Sequence, residues 1–296
     1  MVTASLAFGT VVVVGKVATD IGLSVYWVLA VRFGVATALT ALILALLRQP
    51  LVPVPGERLG LVILGAVGYA IEASFFFLAL QHGNASTVTL LFFTYPAMVM
   101  VASMALGRGA PGLLLGGALG CAIVGAALVV ASSGGIAVEP LGVVFSLSAG
   151  AVFTGYLLGI DRVLRRTNAL TASLWVSGSA SLALAAFSMA TGRAEVLTGL
   201  DQWGPVAWMG LATSVAFVAQ LAGLRILGPV RTAIIGSTEP VAGATLSFAF
   251  LDERVTALMA LGGVLILVGA VAAALARRPE PGKAPEAEVA LEPPTP

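Results

Sequence analysis

The sequence predicts an all-α membrane protein with ten transmembrane helices, arranged as a 5+5 inverted-topology repeat. Of its 296 residues, 59% are hydrophobic and only 10% are charged, whereas soluble proteins carry about 25% charged residues. The apolar residues form runs of about 20, the length that crosses the hydrocarbon core as a helix. These runs do not alternate with polar residues, which argues against a membrane β-barrel and for helices, whose backbone hydrogen bonds are internal.

Ten apolar runs can be separated along the chain, and turn-forming residues such as Gly228-Pro229 divide them. In chain order, the predicted spans are 3–19, 24–46, 60–81, 84–106, 112–131, 140–160, 169–190, 203–224, 229–250 and 256–276.

The two halves of the chain repeat one pattern. Pro96 and Pro240 are 144 residues apart, and so are Gly125 and Gly269. A repeat with an odd number of spans must place its second copy upside down in the membrane. Inverted repeats are typical of secondary transporters, which bind their substrates between the two copies.

This pattern divides the chain into three parts. Residues 1–135 are predicted to form the first five-helix repeat and residues 136–276 the second, inverted one. Residues 277–296 are rich in Pro, Glu and Ala, a composition that predicts a disordered tail.

Basic residues predict the orientation, because cytoplasmic loops carry an excess of Lys and Arg. With a cytoplasmic N-terminus, the inner loops and tail hold Arg48, Arg58, Arg108, Arg162, Arg165, Arg166, Arg225, Arg277, Arg278 and Lys283. The outer loops then hold Lys16, Arg193 and Arg254. We therefore expect both termini in the cytoplasm and a multi-pass location in the inner (plasma) membrane.

The sequence lacks the residues that several classes of function require. The net charge of +1 argues against nucleic acid as a partner, and the single cysteine, Cys121, offers no metal cluster. No phosphate-binding GxxxxGK[ST] loop and no HExxH or GxSxG motif is present. We therefore expect no enzyme activity, no cofactor and no metal site.

Ionisable residues at membrane depth are costly and are candidates for function. Glu72 and Glu239 are the deepest, and Arg32 lies several residues inside the second span. Each is a candidate substrate-binding residue, and each could instead serve a structural hydrogen bond or ion pair. His82, at the outer end of the third span, is a candidate for contacting a substrate carboxylate, although an interfacial polar role would also explain it.

Aromatic and proline residues add to this set. Tyr69 and Phe76 share a helix face with Glu72 and are candidates for lining a cavity, although plain helix packing explains them equally well. Tyr95-Pro96 and Glu239-Pro240 occupy matching positions in the two halves. Proline removes a helical hydrogen bond, so both sites are predicted kinks or hinges. Tyr95 stands in the first half where the second half has Glu239, so Tyr95 is a further candidate for substrate selectivity.

The order of several short motifs resembles the EamA-type transporters of the drug/metabolite transporter superfamily. These motifs are Val11-Val-Val-Val-Gly-Lys16, Leu29-Ala-Val-Arg32-Phe33, Thr94-Tyr-Pro96, Ser237-Thr-Glu239-Pro240 and Phe250-Leu-Asp-Glu253. The resemblance covers roughly residues 5–276. It implies export of small metabolites through a central cavity lined by spans 1, 3, 4, 6, 8 and 9, with spans 5 and 10 at the periphery.

The function expected from these features is secondary transport of small metabolites, most readily amino acids or related amphipathic compounds, by alternating access. Transport of cationic drugs or sugar-type metabolites is the alternative, and a non-transporting scaffold or sensor is the third hypothesis. The expected partners are a small-molecule substrate and the lipid bilayer, with a proton as a candidate coupling ion. Glycine patterns such as Gly112-Leu-Leu-Leu-Gly116 serve a monomer or a homodimer equally well.

Overall fold

The computed structural model describes residues 2–106, 113–132, 138–236, 239–251 and 255–275, and for 224–235 it describes the helical backbone only. The predicted tail 277–296, Arg108, Gly112, Asp252-Glu253 and Arg254, and the side chain of Arg225, lie outside the described residues.

Helices make up nearly all of the described chain. They are α1 (Val2–Asp20), α2 (Val25–Leu46), α3 (Arg58–Ile63), α4 (Ala70–Gln81), α5 (Ala85–Phe92), α6 (Tyr95–Ala105), α7 (Leu113–Ser132), α8 (Pro140–Val163), α9 (Ala169–Ala190), α10 (Leu200–Gly236), α11 (Glu239–Phe250) and α12 (Ala257–Leu275). A π-helical segment, Leu64–Tyr69, joins α3 to α4 without a break.

Six helical stretches of the described residues are long and apolar enough to cross a membrane, and shorter apolar helices accompany them. The six are Thr3–Asp20, Val25–Leu46, Arg58–Gln81, Pro140–Ile160, Ala169–Ala190 and Leu200–Gly223. The protein is therefore an all-helical membrane protein. Most predicted spans begin and end within three residues of the corresponding helices, because apolar run length and flanking turn residues fix both limits.

The predicted turn at Gly228-Pro229 is wrong. Helix α10 continues through these residues to Gly236, and the next helix begins only at Glu239. Proline inside a helix costs one hydrogen bond but does not require the helix to end, so the sequence signal placed the boundary too early.

Of the two prolines singled out from the repeat, Pro96 lies in the first turn of a helix rather than in the middle of one. It follows Tyr95 at the start of α6. A proline there loses no helical hydrogen bond, because the first-turn N–H groups have no partner within the helix. Pro240 lies in α11, and the two residues before Glu239 are outside the described residues. In the first half, α5 ends at Phe92, and a new helix begins at Tyr95, after two intervening residues.

Hydroxyl groups tie α2 to its neighbours α9 and α10. Thr37 Oγ1 lies 3.0 Å from Ser177 Oγ, and Thr40 Oγ1 lies 3.0 Å from Ser214 Oγ. Ser181 Oγ donates to the carbonyl of Ala30 at 2.8 Å. Because hydroxyls bond between apolar helices without a charge, they are well suited to joining spans within a bilayer.

The contacts of α1 and α8 mirror each other. Helix α1 packs mainly against α10 and α11, whereas α8 packs mainly against α4, the π-helical segment, α5 and α6. In chain order, α1 thus contacts helices of the second half and α8 contacts helices of the first half.

Helices α7 and α12 pack together through glycine. A Cβ built on Gly125 would lie 2.6 Å from the carbonyl oxygen of Gly262, and one built on Gly269 would lie 2.7 Å from that of Ala118. A Cβ on Gly116 or Gly120 would meet no atom within 4 Å. The close contact between α7 and α12 is therefore made at Gly125 and Gly269, and Gly116 and Gly120 take no part in it.

Two loops meet at one end of the molecule around Glu57, which is buried. Its carboxylate accepts the backbone N–H groups of Arg165, Arg166 and Thr167 at 3.2, 2.8 and 3.0 Å. Burial alone would raise the pKa of Glu57, but the hydrogen bonds from Thr167 and the two arginine N–H groups outweigh it, so the pKa lies below its ordinary value. We call this contact the Glu57 clasp.

Candidate functional site

A cavity lies at the centre of the helices, and ionisable side chains from both halves of the chain line it. Arg32, Glu72 and Glu239 all face it, together with Gln220. Its volume is about 60 Å³, and since a water molecule needs roughly 10–15 Å³ by this measure, it has room for a few waters. The cavity is therefore polar at membrane depth but narrow in this conformation.

Arg32 is 3% exposed and is held by several groups. Its Nε donates to Thr213 Oγ1 at 2.8 Å, and its guanidinium carbon lies 4.7 Å from the ring centre of Phe33 and 5.3 Å from that of Phe77. Cation–π contacts of this kind stabilise a charge that has left water. The arginine is thus anchored by neutral partners and keeps its positive charge directed at the cavity.

Glu72 is 6% exposed, and its Oε2 has no hydrogen-bond partner among the described residues. Arg32 attracts it electrostatically, yet no ion pair within 4.0 Å joins the two among the described side chains. An unpaired buried carboxylate oxygen is costly, and such an atom calls for an explanation. A water molecule or a ligand group in the cavity is the kind of partner that this oxygen lacks.

The π-helical segment immediately precedes Glu72. Its Gly65 lies so close to Val176 and Ser179 of α9 that an added Cβ would overlap them. The segment changes the register of the helix by one residue, a feature common at functional sites. Tyr69, at its end, and Glu72, in the next turn, both line the cavity.

Glu239 and Tyr95, the mismatched pair of the repeat, line the same cavity. Glu72 and Glu239 repel each other electrostatically across it. The Tyr95 ring stands perpendicular to that of Phe153, with ring centres 4.9 Å apart. Tyr95-Pro96 and Glu239-Pro240 therefore present a phenol from one half and a carboxylate from the other.

Aromatic rings form most of the remaining cavity wall. Phe76, predicted on the Glu72 face, packs edge-on against Phe92 at 5.3 Å between ring centres, and both line the cavity. Tyr69 packs against Phe33 and Phe217 at 5.5 and 4.7 Å. The rings offer faces to an apolar or cationic group.

His82 does not line this cavity. It lies at the end of α4, where its Nδ1 is 2.7 Å from Oε2 of Glu139, and its carbonyl accepts the N–H of Glu139 at 2.8 Å. Gly83 and Val138 form an isolated antiparallel bridge beside it. His82 thus joins two loops at one end of the bundle, and substrate contact by His82 stays a prediction.

The structure also places at the cavity several residues that the sequence did not single out. Phe8, Phe153 and Gln220 contribute to its lining. An isolated glutamine or phenylalanine within an apolar run carries no pattern that marks it, so no sequence signal was available. Among the described residues, no group of three or more His, Cys, Asp or Glu side chains is arranged to hold a metal ion.

Comparison with known families resolves the class of protein. The model of the EamA-like transporter family matches the chain twice, over residues 1–131 and 140–275. The chain belongs to this family. This EamA-like chain is therefore a multi-pass member of a family of membrane transporters, in agreement with the resemblance of its motifs.

Two curated relatives are transporters by description. An uncharacterized inner membrane transporter of Salmonella typhimurium, YicL, is 25% identical over 231 residues, covering 75% of each chain. An uncharacterized transporter of Synechocystis, sll1319, is 26% identical over 187 residues, covering 60% of this chain and 54% of the relative.

A solved structure shares the fold. A crystal structure described only as that of a protein superposes with a TM-score of 0.61 at 18% identity, covering 92% of this EamA-like chain and 96% of the other. At this identity, the likeness concerns the arrangement of helices alone.

Proposed function

We propose that this EamA-like protein is a secondary transporter that exports small metabolites, most readily amino acids or related amphipathic compounds. The observation that carries the proposal is the unpartnered, buried Oε2 of Glu72 in a cavity that also contains Arg32 and Glu239. A zwitterion fits this charge pattern, with its ammonium at the carboxylates and its carboxylate at Arg32. Tyr69, Phe76 and Tyr95 would hold its apolar part.

Transport would proceed by alternating access. A cavity of about 60 Å³ is too narrow for an amino acid, so binding requires the surrounding helices to separate. We propose that the halves 1–135 and 136–276 are inverted five-helix repeats that move against each other, with both termini cytoplasmic. The twofold family match and the mirrored contacts of α1 and α8 support this arrangement.

Counterflow in proteoliposomes tests the proposal. Vesicles loaded with one unlabelled amino acid should accumulate the labelled form when the protein is present, and a panel of amino acids would identify the preferred side chain. If no amino acid moves and Glu239→Gln leaves the resistance of cells to excess amino acids unchanged, the amino-acid proposal fails.

Export of organic cations is the second candidate, and the state of Arg32 favours it. Arg32 already bonds Thr213 and contacts two rings, whereas the Glu72 oxygen lacks a partner. Competition separates the candidates. A quaternary ammonium compound has no carboxylate, so it should block counterflow in a cation transporter but not in a transporter that requires a zwitterion. Sugar phosphates are less well suited, since Arg32 is the only basic residue among those that line the cavity.

A proton is the proposed coupling ion, because either buried carboxylate could exchange one for substrate. An imposed pH gradient should then drive uptake into proteoliposomes, and a protonophore should abolish it. Equal uptake with and without the gradient would remove proton coupling and leave the transporter proposal intact.

A further inference from the structure

The Glu57 clasp fixes a loop whose side chains are strongly basic. The α8–α9 loop contributes Arg165 and Arg166, whose backbone N–H groups bond Glu57 while their side chains are exposed. Thr167 Oγ1 also accepts the N–H of Val54 at 3.2 Å. The α2–α3 loop and the α8–α9 loop are therefore held together through backbone N–H groups, while the exposed guanidinium of Arg165 donates its Nε–H to the carbonyl of Arg162 at 3.1 Å.

Five exposed arginines surround this clasp, and we call them the arginine rim. They are Arg48, Arg58, Arg162, Arg165 and Arg166. None of their guanidinium nitrogens lies within 4.0 Å of a carboxylate oxygen among the described side chains. The oxygens of Glu57, the acid within the rim, accept backbone N–H groups, so among the described side chains the rim is a positive surface without a carboxylate partner.

Exposed apolar side chains lie among the arginines. They are Leu46, Leu47, Leu51, Val52 and Leu59, which are 74%, 58%, 46%, 52% and 71% exposed. Trp175 Nε1 donates to the carbonyl of Leu51 at 2.9 Å, and tryptophan is enriched where hydrocarbon meets headgroups. Such a mixture is typical of a protein surface at the depth of the lipid phosphates.

We propose that the arginine rim binds the phosphate groups of anionic phospholipids. Guanidinium pairs with phosphate through two parallel hydrogen bonds, and basic segments at the membrane surface are attracted to anionic lipids. The clasp fixes the loop backbone beforehand, which lowers the entropy cost of binding. A lipid bound here contacts both loops and braces the Glu57 clasp, whatever substrate the protein carries.

Fluorescence quenching tests this proposal, because Trp175 lies at the rim. A full-length protein with Trp27→Phe, Trp203→Phe and Trp208→Phe retains Trp175 as its sole tryptophan. Quenching by brominated phosphatidylglycerol is compared with quenching by brominated phosphatidylcholine in mixed vesicles. We expect a preference of at least tenfold for phosphatidylglycerol near Trp175.

Substitutions then assign the preference to the rim. One arginine near an anionic surface contributes roughly fivefold in affinity. The double variant Arg165→Gln/Arg166→Gln should therefore lower the preference for phosphatidylglycerol roughly 25-fold, or abolish it if the parent preference is smaller than that. Arg165→Lys/Arg166→Lys should retain most of it, which separates charge from misfolding. The matched control is Arg193→Gln, because Arg193 lies over the Tyr26 ring and outside the arginine rim. This variant should leave the lipid preference near Trp175 unchanged.

Three results would overturn the proposal. The first is equal quenching by both lipids in the parent protein, and the second is a full preference in the glutamine double variant. The third is complete displacement by inorganic phosphate, but not by chloride at the same ionic strength, which would identify free phosphate as the ligand.

Discussion

Glu72 and Glu239 face one cavity from different halves of the chain, and transport should depend on both. Glutamine keeps the size of each side chain and removes its charge. A hydrogen bond to a charged group contributes about 1.5–3 kcal/mol, so Glu72→Gln or Glu239→Gln should lower counterflow about 10- to 100-fold. Initial rates at matched amounts of protein measure the effect.

Glu195→Gln is the matched control, because Glu195 is exposed in the α9–α10 loop and does not line the cavity. It should transport at the rate of the parent protein. Were both cavity variants to transport normally as well, the carboxylates would be structural acids rather than substrate ligands.

Glu57 should make stability depend on pH. Its pKa in the folded protein lies below the ordinary 4.5, so the ionised form favours folding. That contribution is complete above the ordinary pKa and is lost as the pH falls through the lowered one. Glu57→Gln offers one acceptor oxygen instead of two and should cost about 1–3 kcal/mol near neutral pH.

Melting temperatures in detergent from pH 7 down to pH 3 measure this effect. The gap between the parent protein and Glu57→Gln should be widest at pH 7 and close toward pH 3. A gap of constant width would mean that the glutamine disturbs packing rather than the three hydrogen bonds.

At the scale of helices, the α7–α12 pair depends on glycine at particular positions. A Cβ at Gly125 would lie 2.6 Å from the carbonyl oxygen of Gly262, so Gly125→Ala must push the helices apart. We expect Gly125→Ala to lower the melting temperature in detergent, since overpacking costs about 1–3 kcal/mol.

Gly120→Ala is the control from the same helix, because its Cβ would meet nothing within 4 Å. Alanine is favoured over glycine within a helix by about 1 kcal/mol, so this variant should be neutral or more stable. Equal destabilisation by both substitutions would show that the glycine contact does not set the helix distance.

The limits of most helices were predictable because a bilayer demands long apolar runs, and α9 coincides with its predicted span, 169–190. The π-helical segment before Glu72 was not predictable, since no residue type marks the one-residue change of register. Glycine and proline at 228–229 resembled a turn, yet the backbone continues through them in α10. Local residue types thus indicate where a helix is able to end, but tertiary packing decides whether it does.

Part of the candidate site was also predictable. Arg32, Glu72 and Glu239 stood out because charge within an apolar run is rare, and the structure brings them to one cavity. The bond from Arg32 to Thr213 joins residues 181 positions apart, and nothing local indicates it. His82 stood out for its chemistry, but its place at the end of α4 directs it to Glu139 instead.

At the scale of the whole molecule, transport by alternating access requires the ends of the bundle to open in turn. Gly83 and Val138 form a bridge between two loops at one end, and residues opposite each other in such a bridge have Cα atoms about 4.5–5.5 Å apart. That separation suits a disulfide. In a Cys121→Ala background, Gly83→Cys/Val138→Cys should lose counterflow on oxidation and regain it on reduction.

The single variant Gly83→Cys is the control and should respond to neither oxidation nor reduction. Undiminished counterflow in the fully oxidised double variant would show that this end stays closed during transport. The halves would then not alternate as proposed.

Because the Glu72 oxygen is unpaired, the substrate can be sought by measuring binding to the cavity, without a transport assay. A compound that binds only the folded protein raises its apparent stability, by about 2.7 kcal/mol at a concentration 100 times its Kd. A library of amino acids and amines can therefore be ranked by melting temperature alone. True ligands should lose their effect in Glu72→Gln, so the protein itself would report which molecule its cavity accepts.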